Sequence, residues 1–66
     1  MVNMFKVAKD VVGMEKQAAI DIISSTDGTY RIVKEDGKER VVTDDLRDDR
    51  VSMEIENGIV TKAYIF

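Results

Sequence analysis

Hydrophobic and polar positions alternate most regularly in the last third of the chain. Residues 50–56 are predicted to form a strand whose apolar side chains face a core and whose polar side chains face outward; the inward set is Val51, Met53 and Ile55, and the outward set is Ser52, Glu54 and Glu56. Asn57-Gly58 follows, the strongest short signal for a hairpin, so residues 58–66 are predicted to be the returning strand. An earlier strand is predicted over 29–34, followed by a turn at Asp36-Gly37.

Residues 14–25 show helical periodicity instead. Their apolar positions recur at spacings of three and four residues, at Ala18, Ala19, Ile22 and Ile23. The polar run 24–28 is typical of a helix end and a turn. The preceding stretch 5–12 is predicted to be a short extended lead that ends at Gly13.

These elements predict an α+β fold in one domain, residues 1–66. One α-helix would pack on a small mixed β-sheet in two layers, with a long exposed loop. The strands at 29–34 and 50–56 are separated by a crossover, so they would be parallel if they are neighbours in the sheet. A chain of 66 residues leaves no room for a second domain.

Composition excludes several function classes. The chain has no cysteine and no histidine, so a Ser-His-Asp triad or a thiolate metal site cannot be assembled. We therefore expect no enzyme activity, no catalytic residue, no metal and no cofactor. The net charge of −3 and the absence of a basic stripe argue against nucleic-acid binding. No stretch has the length of a membrane span or a signal peptide, which predicts a cytoplasmic protein, or a secreted one if a signal was removed.

The connection between the two central strands, residues 38–49, is the segment that the fold alone does not explain. Connections in small domains usually have about 2–6 residues, and longer ones tend to carry function. Val41, Val42 and Thr43 favour an extended backbone. Two arginines, Arg47 and Arg50, stand close to four aspartates in this region: Asp44, Asp45, Asp48 and Asp49.

The stretch 42–51, Val-Thr-Asp-Asp-Leu-Arg-Asp-Asp-Arg-Val, resembles the binding loop and following strand of the potato inhibitor I family of serine protease inhibitors. That family contains eglin and the barley chymotrypsin inhibitor, and related bacterial peptidase inhibitors look similar. The resemblance extends to the helix at Ala19 and Ile22-Ile23 and to the hairpin at 56–60, covering roughly residues 11–64.

The resemblance implies that residues 40–49 form a reactive loop that docks into a serine protease as a substrate does. The scissile-type bond would be Asp44–Asp45, with Asp44 in the primary specificity pocket. The docking residues would be Val42, Thr43, Asp44, Asp45 and Leu46. Arg50 would hold Thr43 from the strand below, and Arg47 would support the loop.

Two residues depart from the family pattern. Ser52 stands where the family usually has a second arginine, so one guanidinium clamp is missing unless Arg40 or Arg47 replaces it. Asp44 would place a carboxylate in a pocket that is apolar in most chymotrypsin-like and subtilisin-like enzymes, at a cost of several kcal/mol. Three alternatives follow: the target is a protease with a basic pocket that accepts acidic residues, Asp44 is not the docking residue, or the scaffold no longer inhibits a protease. The side of the loop that precedes Val42 is also about two residues longer than usual.

Two other interpretations stay open. The acidic cluster is as compatible with a solvated loop rich in turn formers as with an inhibitor loop. The domain would then be a non-inhibitory interaction module on the same scaffold. Such a module could pair through an exposed strand edge or through the apolar tail 63–66, with a second copy as one possible partner, so the chain is predicted to be a monomer or a weak homo-oligomer. Acid–base catalysis by paired carboxylates ranks last, because no pocket is implied. An EF-hand calcium loop is excluded by its missing ligand spacing.

Overall fold

The computed structural model describes residues 3–40, 45 and 47–66. Two helices precede the sheet: α1, Met4–Val11, and α2, Lys16–Ser24. Helix α1 begins at Asn3, whose side chain accepts hydrogen bonds from the main-chain N–H groups of Phe5 and Lys6. Such a cap satisfies donors that the first helical turn leaves without partners.

Four strands follow the helices. They are β1, Thr29–Glu35, β2, Lys38–Glu39, β3, Arg50–Glu56, and β4, Ile59–Ile65. Their order across the sheet is β2-β1-β3-β4, with β1 and β3 parallel and the other two pairs antiparallel. The structure therefore confirms the α+β class, the mixed sheet and the parallel pairing of the central strands.

Both predicted turns are present, and each has two residues with positive φ. The angles are +52° at Asp36 and +82° at Gly37, and +52° at Asn57 and +77° at Gly58. Turns of this hand match the right-handed twist of the flanking strands. The two turns also lie together, since the N–H of Asn57 donates to the Asp36 carboxylate at 2.8 Å.

The core lies between the helices and one face of the sheet. Its fully buried apolar side chains come from both helices and from β3 and β4; they are Ala8, Val11, Ala19, Ile23, Val51, Met53, Ile55 and Val60. The inward alternation predicted for β3 is confirmed. Burial of this set supplies the main favourable term in folding.

The prediction of an extended lead over 5–12 is wrong, because this stretch belongs to α1. The three valines of this stretch, Val7, Val11 and Val12, favour extended backbone locally. The side chains at Met4, Val7, Ala8 and Val11 nevertheless share one helical face and pack on the core. Tertiary burial of that face and the Asn3 cap outweigh the local preference of the valines.

Ser52 was predicted to face solvent, but it is fully buried. It lies between Arg31 and Tyr64 in the strand register, on the sheet face opposite the core side chains of β3. The Nε of Arg31 donates to the Ser52 hydroxyl at 3.1 Å. Long neighbouring side chains therefore cover a position that strand alternation alone assigns to the outside.

Candidate functional site: the base of the loop

Arg50, the first residue of β3, is the central side chain at the base of the predicted loop. Only 11% of its side chain is exposed. Its Nη2 donates at 2.7 Å to the main-chain oxygen of Asp45 and at 2.7 Å to that of Phe66. Hydrogen bonds from a charged donor are roughly twice as strong as neutral ones. One guanidinium therefore joins the loop to the end of β4.

The Asp45 carboxylate adds an electrostatic contact to this clamp. Its Oδ2 lies 3.5 Å from Nη1 of Arg50, while 55% of the Asp45 side chain is exposed. An ion pair this open to water contributes little stability by itself. The main-chain hydrogen bond is therefore the stronger of these two contacts between Arg50 and Asp45. The Nε of Arg50 is buried and has no hydrogen-bond partner among the described residues.

Phe66 ties the same region to the sheet through its main chain. Its N–H donates to the main-chain oxygen of Arg50 at 3.3 Å, and its own oxygen accepts from the N–H of Arg47 at 3.3 Å as well as from Arg50. The loop is thus connected to β4 at Arg47 and, through the guanidinium, at Asp45. We use the name loop base for Asp45, Arg47, Asp49, Arg50 and Phe66.

Arg47 and Asp49 form a bidentate salt bridge within the loop base. Nε of Arg47 donates to Oδ1 of Asp49 at 3.0 Å and Nη2 to Oδ2 at 2.9 Å. The hydrogen bond from Arg47 lowers the pKa of the Asp49 carboxyl, and Asp49 in turn raises the pKa of Arg47. The pair is close to half exposed, so it shapes the loop more than it stabilises the domain.

The end of the loop at Asp49 packs closely against Gly28, the residue before β1. The main-chain oxygen of Asp49 accepts from the N–H of Thr29 at 2.8 Å. A Cβ placed on Gly28 would lie 2.8 Å from that same oxygen and would also overlap the Met4 side chain. Because the contact is with main chain, a larger residue at position 28 would displace the end of the loop.

Arg31 is a residue that sequence analysis did not select. It stands beside Ser52 in the parallel register of β1 and β3, next to the position where the resemblance led us to expect a second arginine. Its guanidinium carbon also lies 5.3 Å from the centre of the Phe66 ring. Arg31 therefore contacts Phe66, which also binds Arg50, and Ser52, which lies two positions after Arg50. Arg31 could have been identified from the sequence by assuming parallel pairing of β1 and β3, because that pairing places it beside Ser52.

The two arginines considered as replacements for the missing clamp have other main partners. Arg40 forms a salt bridge with Glu35, which also binds Lys16 at 2.8 Å. The hydrogen bond from Lys16 lowers the pKa of the Glu35 carboxyl, and Arg40 lowers it further. Arg47 is engaged with Asp49, as described above. The segment that precedes the loop contains β2, which pairs with β1 in a tight hairpin.

Most of the predicted docking residues lie outside the described part of the chain: Val42, Thr43, Asp44 and Leu46. The predicted contact between Arg50 and Thr43 is therefore untested. Asp45 is described, and it is exposed. Arg47 and Arg50 lie at the loop base, where Arg50 contacts Asp45 and Arg47 contacts Asp49 and Phe66.

Within residues 3–40, 45 and 47–66, no three acidic side chains come together in a way that could hold a metal ion. None of the helices in this part of the chain is long and apolar enough to cross a membrane. No protein-family model matches the sequence, and no significant match is found among curated proteins or solved structures.

Proposed function

We propose that this protein is a serine protease inhibitor that docks residues 40–49 into its target as a substrate-like loop. In this proposal Asp44–Asp45 is the scissile-type bond, and the chain itself performs no chemistry. The observation that supports it is the buried Arg50 guanidinium, which binds the main-chain oxygen of Asp45, the residue that would follow the scissile bond.

A clamp at Asp45 explains how such a loop could resist a protease. A loop held in one conformation loses little entropy on docking, which raises affinity without new contacts. If the bond before Asp45 were cut, the new N-terminus would stay attached to β3 and β4 through Arg50 and Phe66. Religation would then compete with release, since the cut ends remain at high effective concentration.

The charge of the loop defines the class of target. Asp45 and Asp48 are exposed, and the proposed docking residue, Asp44, is also an aspartate. Placing its carboxylate in an apolar pocket without a partner would cost several kcal/mol. A pocket lined by basic groups would remove that cost and would reject large apolar side chains. We therefore propose a partner that cleaves after acidic residues.

A panel of serine proteases tests the proposal, with Asp44→Leu as the key variant. Wild-type protein is expected to inhibit an acid-directed enzyme, whereas Asp44→Leu should gain inhibition of subtilisin-like or chymotrypsin-like enzymes by about a thousandfold. Asp48→Leu is the matched control, because it makes the same change at an exposed position after the proposed docking residues. Absence of inhibition by both wild type and Asp44→Leu across the panel would disprove the proposal.

The second candidate function is a non-inhibitory interaction module. It is favoured by a different observation, an apolar groove beside the outer edge of β4. That groove does not depend on the loop, so this candidate stands even if residues 40–49 do not inhibit a protease.

A further inference from the structure

The outer edge of β4 is open over only part of its length. Strand β4 lies at one end of the sheet order, so one side of it has no neighbouring strand among the described residues. The segment 13–16 covers its beginning: the N–H of Gly13 donates to Val60 at 2.7 Å, and the N–H of Val60 donates to Met14 at 2.9 Å. The chain thus already adds a short stretch of its own backbone to this edge.

The main-chain groups that remain open can be assigned from the pairing with β3. The N–H of Phe66 points to Arg50 on β3. Main-chain direction alternates along a strand, so Tyr64 also points toward β3, and Ala63 and Ile65 point away from it. None of the main-chain hydrogen bonds described outside the helices and strand pairs reaches Ala63 or Ile65.

An apolar groove of about 580 Å³ runs beside this open edge; α1 contributes Phe5, Ala8, Lys9 and Val12, and β4 contributes Ala63, Tyr64 and Ile65. Phe5 is 70% exposed, the largest exposure among the bulky apolar side chains described. A helix wall beside an open strand edge is the geometry into which an extended segment is added in β-augmentation. Exposed edges of this kind are usually blocked in monomeric proteins.

We propose that the occupant is β4 of a second copy, added antiparallel about a two-fold axis at Tyr64. This inference does not rest on the proposed inhibitor function. In this register Ala63 lies opposite Ile65 of the second copy, and Ile65 lies opposite its Ala63. The four N–H and C=O groups of Ala63 and Ile65, which have no main-chain partner on this side among the described residues, would then all find partners on each edge.

The neighbouring register fits less well. Centring the axis on Ala63 would place Ile65 opposite Thr61 of the second copy. Thr61 is the extra residue of a bulge, and its hydroxyl donates to the main-chain oxygen of Glu54 on β3 at 3.2 Å. The open groups of Ile65 would then lack partners, which disfavours this arrangement.

The side chains that would face each other across an axis at Tyr64 are also compatible in charge and type. The one charged side chain in this part of β4, Lys62, would lie opposite Phe66 of the second copy, so no two lysines face each other. Lys62 already lies 5.9 Å from the ring of Tyr64 in its own chain, which indicates that its cation is compatible with an aromatic neighbour. The two tyrosines would form a cross-strand aromatic pair.

Cysteine cross-linking tests the register directly, because the native chain contains no cysteine. At the proposed axis the two residues 64 form a non-hydrogen-bonded pair with Cα atoms about 4.5 Å apart, within disulfide range. Tyr64→Cys should therefore form a disulfide-linked dimer under mild oxidation. Lys62→Cys is the matched control, since the two residues 62 would be roughly 13 Å apart. Equal cross-linking of both variants would overturn the register.

A charge-pair experiment covers the case in which cysteine disturbs folding. Sedimentation velocity of the wild type, from micromolar to millimolar concentration, should show a monomer–dimer equilibrium. Tyr64→Lys and Tyr64→Glu should each stay monomeric, and their equimolar mixture should dimerise again. Circular dichroism checks that each variant is folded. A wild type that stays monomeric at every concentration, or a mixture that fails to associate, would overturn the proposal.

Discussion

Arg50 holds the main-chain oxygen of Asp45 from below, with Nη2 at 2.7 Å from it. The donor belongs to the first residue of a central strand, and the acceptor belongs to the loop that precedes that strand. Because Arg50 is held in the strand, this contact also fixes the position of Asp45 in the loop. It depends on the burial of Arg50, because a guanidinium free in water would not favour one loop conformation.

Replacing Arg50 by alanine should therefore destabilise the domain. Two hydrogen bonds from a charged, buried donor would be lost, so the free energy of unfolding should fall by about 2–4 kcal/mol. Arg50→Lys should recover part of this loss, since an ammonium group keeps the charge but not the planar fork. Urea denaturation followed by circular dichroism measures both variants.

Arg47→Ala is the control for that series. Its side chain is 47% exposed and is bound to a carboxylate that is 41% exposed, so the expected loss is at most about 1 kcal/mol. An effect of Arg47→Ala as large as that of Arg50→Ala would contradict the assignment of Arg50 as the clamp.

Arg31 and Ser52 should be energetically coupled. The hydrogen bond between them lies on a covered part of the sheet face, and Ser52 is fully buried. A double-mutant cycle with Arg31→Ala and Ser52→Ala should give a coupling energy of about 0.5–1.5 kcal/mol. A coupling of zero within error would show that the contact does not connect the two strands.

These two residues also show where sequence analysis succeeded and where it did not. Alternation and the Asn57-Gly58 turn were enough to predict β3 and the hairpin, because these signals are local. The partners of Ser52 depend on the parallel pairing of β1 with β3, which local patterns do not specify. The helical nature of α1 was missed for the same reason, since burial of its apolar face against the sheet decides its conformation.

The loop base was predicted only in outline. The resemblance implied that Arg47 and Arg50 support the loop and that Arg50 holds Thr43, but it did not predict the contacts of Arg50 with Asp45 and Phe66. The hydrogen bond between Arg50 and Phe66 joins residues 16 positions apart in the sequence. Such a contact follows from strand pairing, so it could be derived only after the register of β3 and β4 was known.

Substitution of Gly28 should disturb the end of the loop at Asp49. The Cβ of Gly28→Ala would press on the main-chain oxygen of Asp49, and the end of the loop would have to move. We expect a loss of about 1–3 kcal/mol in the free energy of unfolding. Ser24→Ala, at the exposed end of α2, is the matched control and should change it by less than about 0.5 kcal/mol. Unchanged stability of Gly28→Ala would show that this close approach is not required.

The pH dependence of stability should include a contribution from Glu35. Its pKa is lowered in the folded state, mainly by the hydrogen bond from Lys16. The stabilisation is therefore complete above the carboxyl's usual pKa of 4.5 and is lost as pH falls through the lower folded value. Tm measured between neutral and acidic pH should fall less steeply for Glu35→Gln than for wild type. Parallel Tm curves for the two proteins would exclude this contribution.

The measurement that tests the central claim most directly is the fate of the loop during long incubation with an acid-directed serine protease. Mass spectrometry would follow cleavage at Asp44–Asp45 while residual protease activity is recorded. The account predicts that wild type inhibits and is cut slowly, whereas folded Arg50→Ala or Arg50→Lys is cut rapidly and inhibits only briefly. Rapid cleavage of the wild type, or equal inhibition by the wild type and both Arg50 variants, would contradict it.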